Sequence, residues 1–476
     1  MRVAVIGAGV VGALVARELT RYEADVLLFE KEDDVGWGVT KANSGIVHGG
    51  FHEVPGTQRA ALCVEGNRAF ERLCAELDVP FARVGGWTVA LSEEDRSVLE
   101  GLREQGEANG VPDLKIVDAT ALQEREPNLN PEAVAGLWAP SVGITEPWAI
   151  AIAAVENARE NGLQVHLAEA VSGIRTREGV VRAVSTPRED YPVDAVVNAA
   201  GLFADRIATM VGLSQPVQFP RRGEYILLDK KAGGLVRSVI FPTPSDSSKG
   251  ILVVPTVDGG LLLGPTAQDL DREAKDATQT TGTGLQEVID GATRLVPGLD
   301  LSLSIKTFAG LRPETADETF VIGPTVVGGF YQAAAMRSPG LTAAPAVAAR
   351  LVHGAVARDL GLRPRTSFQP VRRGIRKLLD LPETERDDLI AENPAYGRLI
   401  CHCNRVTEAE IVEAIHRGAR SLDGVKFRTR AGFGRCQGGF CTDKVLSILA
   451  RELHVALGRI PLRGEGAWLL GEEVRP

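Results

Sequence analysis

Four of the six cysteines in this chain of 476 residues lie close together near its C-terminus. Cys401 and Cys403 have one residue between them and Cys436 and Cys441 have four, which gives C-x-C, a spacer and C-x4-C. Thiols grouped in this way fit metal or redox chemistry, whereas disulfides belong to oxidising compartments. A structural zinc accepts four cysteines, but its tight turns usually leave two or more residues between ligands. A [2Fe–2S] cluster also takes four cysteines and tolerates wider spacing. Gly432, Gly434, Gly438 and Gly439 would let backbone N–H groups face the sulfurs. Lys426, Arg428, Arg430 and Arg435 would offset an anionic cluster, unless they form an ordinary solvated face. Spacing alone leaves zinc and cluster both open.

A second constellation opens the chain. In RVAVIGAGVVGALVARELTRYEADVLLFEK, residues 2–6 are an apolar run suited to a buried parallel strand, and Gly7, Gly9 and Gly12 follow as G-x-G-x-x-G. The first glycine permits a tight turn, the second lets the backbone approach a pyrophosphate, and the third lets helix and strand pack closely. The helix N-terminus then offers N–H groups and its positive dipole end to phosphates. DVLLF is a second strand, and Glu30 closes it where a ribose hydroxyl would bind. The order strand, turn, helix, strand, acid reads as a dinucleotide site, for FAD or NAD. His48, in SGIVHGGFH, is the best candidate base because imidazole titrates near neutrality, with a packing role as its alternative. His52 is weaker. Arg312 and Arg337 would grip a carboxylate or phosphate, with Arg222 and Tyr225 behind them. Ser338, Pro339 and Gly340 read as a helix cap, a first helical residue and a point of close approach. Cys63 and Cys74, in one long helix, read as ordinary buried residues.

These groups need globular domains to position them. The chain is 44% hydrophobic and 24% charged, a globular balance, and its 476 residues exceed one ordinary core, so two or three domains are expected. A formal net charge of −9 argues against nonspecific nucleic-acid binding. The first residues do not read as a signal peptide, because glycines cut their apolar run. No apolar run nears the roughly 18 residues of a membrane span, so no transmembrane segment and a cytoplasmic location are expected. EPWAIAIAAVENARENG predicts a helix ending at Gly162, and DAVVNAAG predicts a strand and turn. EYILLD, GILVVPT and GLLLGP are short apolar runs of an antiparallel sheet. Residues 360–396, rich in Arg, Pro and acids, read as a linker with one short helix. Thr407 and Glu410 form a capping box for a helix ending near Gly418, and TDKVLSILARELH predicts another from about Cys441.

The stretch GWGVTKANSGIVHGGFHEVPGTQRAALCVEGNRAFERLCAELDVPF resembles flavoenzymes of the D-amino-acid oxidase superfamily, nearest to FAD-dependent glycerol-3-phosphate and L-2-hydroxyglutarate dehydrogenases. The resemblance continues through VVNAAGLFADRIA, RRGEYILLDK, GILVVPTVDGGLLLGPTA, AGLRPETAD and AAMRSPGLTAAPAVA, over roughly residues 1–355. It implies an α/β fold. A Rossmann-type FAD-binding domain would comprise 1–80, 145–215 and 325–360, with an inserted antiparallel-sheet substrate domain from 81–144 and 216–324. The resemblance selects FAD and implies contacts from Gly7, Gly9, Val10, Val11, Gly12, Glu30, Lys31, Thr40, Asn43, Ser44, Gly45, Val171, Ala200, Gly201, Gly340, Leu341 and Thr342. It places His48 beside the flavin, with covalent attachment there a minor alternative. The pair Met336–Arg337 departs from the small or acidic residue common before SPG in that family, which leaves room for a changed substrate. After a linker at 361–396, residues 397–460 resemble the small α-helical bacterioferritin-associated-ferredoxin-like [2Fe–2S] domain. Cys401, Cys403, Cys436 and Cys441 would be its ligands, and 461–476 would be a tail.

The implied activity is oxidation of a small anionic alcohol. The first substrate expected is sn-glycerol 3-phosphate, giving dihydroxyacetone phosphate, and L-2-hydroxyacids come next. Electrons would leave through the cluster to an acceptor protein or quinone-linked partner subunit, with the enzyme at the membrane periphery only through that partner. The alternatives are an amine or imino-acid dehydrogenase of the proline, sarcosine or glycine type, and a non-catalytic electron-transfer subunit.

Overall fold

A computed structural model of the chain describes residues 1–244 and 249–471. The last five residues of the expected tail therefore lie outside the described residues. The first strand, Arg2–Ile6, lies inside a six-stranded sheet, pairing in parallel with Asp25–Phe29 on one side and Ala195–Asn198 on the other. Buried on both faces, these strands need apolar residues at nearly every position, hence their unbroken runs. Phe330–Ala334 continues the sheet in parallel, and Val321–Pro324 closes that edge antiparallel. The flavin-type sheet thus begins a few residues before the expected boundary at 325. Helices Val10–Leu19, Gln58–Leu77, Pro147–Glu160 and Gly340–Leu351 supply the core against it. The segment Gly340–Asp359 is long and apolar enough to span a membrane, but two thirds of its apolar window is buried, at 67%, in this core.

The two inserted segments merge into one sheet. Phe219–Leu228 pairs along its length with Ser304–Glu314, and Leu261–Gly264, Leu252–Pro255 and Val239–Pro242 follow in order. The sheet is not wholly antiparallel: where the two segments meet, Val239–Pro242 pairs in parallel with Gly86–Ala90. Neighbouring strands from distant segments owe nothing to a hairpin, so local sequence does not fix their direction.

The linker is strapped to the flavin-type domain. The buried Arg17 donates to the carbonyl of Pro370 at 2.9 Å, Asn157 and Asn161 both donate to the carbonyl of Gln369, and Arg372 meets Glu156 at 2.6 Å. Its expected short helix is Glu383–Glu392. Beyond it, strands Leu399–Cys401 and Val406–Thr407 and helices Glu408–His416, Leu422–Thr429 and Thr442–Leu453 form a compact module. The Thr407–Glu410 capping box is formed. The helix Leu422–Thr429 was not anticipated, although Ser421 signals it by accepting the N–H of Gly424 at 3.1 Å.

Candidate flavin cleft and iron–sulfur site

A cleft of about 1460 Å³ runs between the six-stranded sheet and the inserted sheet, and its far wall comes from the C-terminal module. Gly7 has φ +101°, and a Cβ there would strike the carbonyl oxygen of Ala199 at 2.5 Å. Gly12 is required by packing, since a Cβ would come within 1.9 Å of the Gly7 carbonyl. Gly9 differs: a Cβ there would meet only the Thr40 hydroxyl, at 3.2 Å, and otherwise open cleft. The protein itself does not need that glycine, so the space fits a ligand's phosphates. Thr40 accepts the Val10 N–H at 3.0 Å, and Glu30 accepts the Ala8 N–H at 2.7 Å at the end of the second strand. Burial pushes the Glu30 carboxyl above its ordinary range. Lys31, Val11, Val171, Ala200, Gly201 and Leu341 line the cleft as expected. Asn43 shapes its loop, donating to the Thr40 carbonyl at 2.8 Å and accepting the Gly45 N–H at 2.8 Å, with Ser44 between. Gly340 faces only the Met336 side chain, at 3.4 Å, so it too leaves room for a ligand. Ser338 does not cap the following helix; Pro339 is the cap residue.

His48 lies in this cleft, buried, its N–H held by the Thr342 hydroxyl at 2.8 Å. Its Nδ1 accepts the Gly50 N–H at 2.9 Å, and its Nε2 is 2.8 Å from Nδ1 of His52. Burial, with Lys249 nearby, holds both imidazoles well below the usual histidine range, so both are neutral. Since Nδ1 of His48 takes a backbone N–H, the network puts its proton on Nε2, donated to His52. His52 then carries its own proton on Nε2, a buried atom without a hydrogen-bond partner among the described residues. The expected base is thus half of a histidine pair in the cleft wall whose remaining donor, Nε2 of His52, is buried and unsatisfied. His52 had looked secondary because a four-residue offset reads as solvent-facing in a loop.

The cationic candidates separate sharply. Arg337 is neutralised by Glu314 at 2.7 Å and by Glu318, so it is not free to hold a substrate anion. Arg221 is tied to Asp269, and Arg222 to Glu224 and Gln268 outside the cleft lining. Arg312 donates to the Thr266 carbonyl at 2.8 Å, its Nε is buried and unpartnered, and it meets no carboxylate at ion-pair distance among the described residues. Burial lowers its pKa, the mark of a guanidinium lacking a counter-ion. Tyr225 is buried beside it, its phenol pushed up to about 12 by burial. Lys249, not singled out in the sequence, joins the cleft while pairing with Glu53 at 2.8 Å. Cys63 and Cys74 are inert: burial raises both thiols, Cys74 to about 12.

In the module the four cysteines fall into two pairs. Cys403 and Cys436 bring their sulfurs to 3.7 Å, and the thiols of Cys401 and Cys441 share a hydrogen bond. Two pairs suit a two-iron centre with two thiolates per iron. Among the described residues no three His, Cys, Asp or Glu side chains converge on a single-ion site. The Cys401 thiol is held below its ordinary range by the Cys441 hydrogen bond and by the backbone N–H groups of Asn404, Gly432 and Cys403, against burial. N–H groups of Gly438 and Phe440 face Cys436. Gly432 and Gly438 therefore act as the sequence implied. The cations do not: Arg428 pairs with Asp34, Arg430 with Asp258 and Glu146, and Lys426 with Asp423. Only Arg435 stands exposed next to a ligand, at Cys436.

Glycine loop, open cleft and paired thiols define a flavoprotein with an attached iron–sulfur module. Residues 2–353 match the FAD dependent oxidoreductase (DAO) family, to which the chain belongs, and residues 399–451 match the BFD-like [2Fe-2S] binding domain. The chain is 44% identical over 473 residues to a glycerol 3-phosphate dehydrogenase of Caloramator mitchellensis, covering 98% of each. It is 27% identical over 358 residues to the mitochondrial L-2-hydroxyglutarate dehydrogenase of Nematostella vectensis, covering 68% of this chain and 78% of the relative. Among solved structures it resembles the dithionite-reduced L-α-glycerophosphate oxidase of Mycoplasma pneumoniae with FAD bound, with a TM-score of 0.72, 29% identity, and coverage of 78% of this chain and 98% of that one. It is an FAD-dependent oxidoreductase with a [2Fe–2S]-binding domain.

Proposed function

We propose that this chain oxidises sn-glycerol 3-phosphate to dihydroxyacetone phosphate, with L-2-hydroxyacids as the next substrate class, and delivers the electrons through its [2Fe–2S] centre to a partner acceptor. The observation that carries the reading is Arg312, a half-buried guanidinium with no carboxylate at ion-pair distance among the described residues, lining the same cleft as the His48–His52 pair. An anion completes its charge balance, and Arg grips phosphate or carboxylate through two N–H groups. FAD bound in the cleft supplies the hydride acceptor. The histidines hold the alcohol oxygen and manage its proton, and the glycine loop with Thr40 orients the dinucleotide. The near full-length likeness to a glycerol 3-phosphate dehydrogenase supports phosphate over carboxylate.

The acceptor is an electron-carrier protein or a quinone-linked subunit. Cys403 is exposed while Cys401 and Cys441 are buried, so one edge of the thiol site faces outward. Phe440 beside it is 76% exposed. The enzyme works in the cytoplasm and meets the membrane only through that acceptor. Anaerobic mixing of purified protein with glycerol 3-phosphate, L-2-hydroxyglutarate, lactate, proline and sarcosine tests the reading. Glycerol 3-phosphate is expected to bleach the flavin fastest. Bleaching by an amine, with glycerol 3-phosphate inert, would overturn it.

A further inference from the structure

The C-terminal module forms part of the flavin cleft, and one of its residues joins the two redox sites. Arg430 lines the cleft together with Phe433. Its guanidinium lies 3.9 Å from the centre of the Phe433 ring and 5.4 Å from that of Trp148. It pairs with Glu146, which starts the flavin-domain helix Pro147–Glu160, at 3.4 Å, and with Asp258 of the inserted sheet domain. Three domains therefore meet on one side chain.

The backbone of the same residue belongs to the thiol site. The Arg430 carbonyl accepts the side-chain amide of Asn404, next to Cys403, at 2.8 Å, and the Phe433 N–H at 3.1 Å. Between them, the Gly432 N–H faces the thiols of Cys401 and Cys441. Arg430 ends the helix Leu422–Thr429 with φ +71°, a left-handed position where glycine is the usual occupant. The chain accepts that backbone strain and keeps a long cation there. Docking does not depend on it, because Arg428 on Asp34 and Arg417 on Glu156 tie the module to the flavin domain elsewhere.

We propose that Arg430, stacked on Phe433, is a positioning residue that holds the thiol loop in register with the flavin cleft and so sets the rate of electron transfer between the two centres. The step moves one electron, oxidising the reduced flavin by one equivalent and reducing one ferric ion of the cluster to ferrous. The inference rests on the reading that electrons leave through the cluster.

The test uses the full-length holoprotein, wild type and with Arg430→Gln, Arg430→Lys or Asp258→Asn. Iron and sulfide content and the EPR signal of chemically reduced protein first show that the cluster is present. After anaerobic mixing with glycerol 3-phosphate, flavin bleaching and cluster reduction are timed separately, and their ratio is taken within each variant. Arg430→Gln is expected to slow cluster reduction relative to bleaching by roughly ten- to a hundredfold, the scale of a misplacement of about 1 Å. Arg430→Lys should recover part of the loss, and Asp258→Asn should show a smaller one. Hydrogen exchange of resting protein gives a readout without turnover: amides 430–434 should exchange faster in Arg430→Gln, with 408–416 unchanged. Equal ratios and unchanged exchange in all variants would overturn the inference. If Arg430→Gln loses its iron, the other two variants decide, and unchanged ratios in both overturn it. A wild type whose flavin bleaches while its cluster stays oxidised would remove the underlying reading, and the inference with it.

Discussion

The flavin cleft draws its wall from Ile6 to Arg463, through stretches scattered over nearly the whole chain, whereas the thiol site lies wholly within residues 401–441. The cleft meets its ligand with backbone: Gly9 and Gly340 are left clear, and Gly7 turns where a side chain would strike Ala199. The thiol site meets its ligand with side chains, and backbone N–H groups from Gly432 and Gly438 support them. Charge differs too. The cleft leaves Arg312 without a carboxylate, whereas the module commits Arg428 and Arg430 to its neighbours. An unpaired cation marks where a mobile anion arrives, and paired ones mark where a domain is fixed.

The largest expected effect tests the backbone side of this comparison. Gly9→Val fills the one open position of the loop, so purified protein should lose its flavin absorbance almost completely while the [2Fe–2S] EPR signal stays. Flavin content near wild type would mean that the cleft is not built around that glycine. The side-chain site has the matching test. Cys403→Ser should remove a ligand at the exposed edge, taking iron and sulfide from about two each per chain to near zero, while substrate still bleaches the flavin. One zinc per chain and no iron in anaerobically purified wild type would make the module structural and end the comparison of two redox sites.

A third, smaller effect sharpens the role of the histidine pair. His48→Ala should slow flavin bleaching by roughly 10²–10⁴-fold, the usual range for loss of a proton-handling group. His48→Gln keeps a donor that can reach His52 Nδ1 and so hold the pair together, but it cannot accept a proton as imidazole does. A rate for His48→Gln within about tenfold of wild type would assign hydrogen-bond donation, as the Gly50 contact implies, and a rate as low as that of His48→Ala would assign the base.

The sequence shows best what short-range physics imposes. The Thr407–Glu410 cap rests on neighbours within a few residues, and the glycine turn, Glu30 and the two cysteine pairs are announced by short local spacings, even though Glu30 reaches back to Ala8 and Cys403 to Cys436. The ion pairing of Arg337 was not legible, because Glu314 and Glu318 return beside it only when the strand ending at Glu314 packs against the following loop. His52 was undervalued because burial by Phe51 and Phe241 depends on the inserted sheet. The arginines of 428–430 look like a cluster's counter-charge until Asp34, some 390 residues earlier in the chain, arrives beside them. Residue types were legible, but long-range partners were not.

The smallest effect reports on the seam between the two sites. Lys41 points its ammonium at Trp37, 4.1 Å from the ring centre, with Phe427 of the module at 5.8 Å. Burial first, and Arg463 of the tail second, bring its pKa down from 10.5 to about 8. The Arg463 contribution exists only while the tail is docked, and Phe427 of the module stands over the same ammonium. Below pH 8 the folded and unfolded chains both carry the proton, and folding bears the full cost of burying it. Between pH 8 and 10.5 the folded protein has shed that proton while the unfolded chain keeps it, so stability rises with pH across this window. Lys41→Gln should therefore be more stable than wild type at pH 7, by about 1–3 kcal/mol, and the gap should close toward pH 10.5. Chemical labelling gives a second reading, in deflavinated protein, since a bound pyrophosphate would raise the amine's pKa. Acylation of Lys41 followed by mass spectrometry should show a midpoint near pH 8. In Asp34→Asn, which weakens the Arg428 attachment, the midpoint should move up toward an ordinary lysine's. A midpoint near 10.5 in the wild type would mean that the module does not close over this part of the cleft in solution.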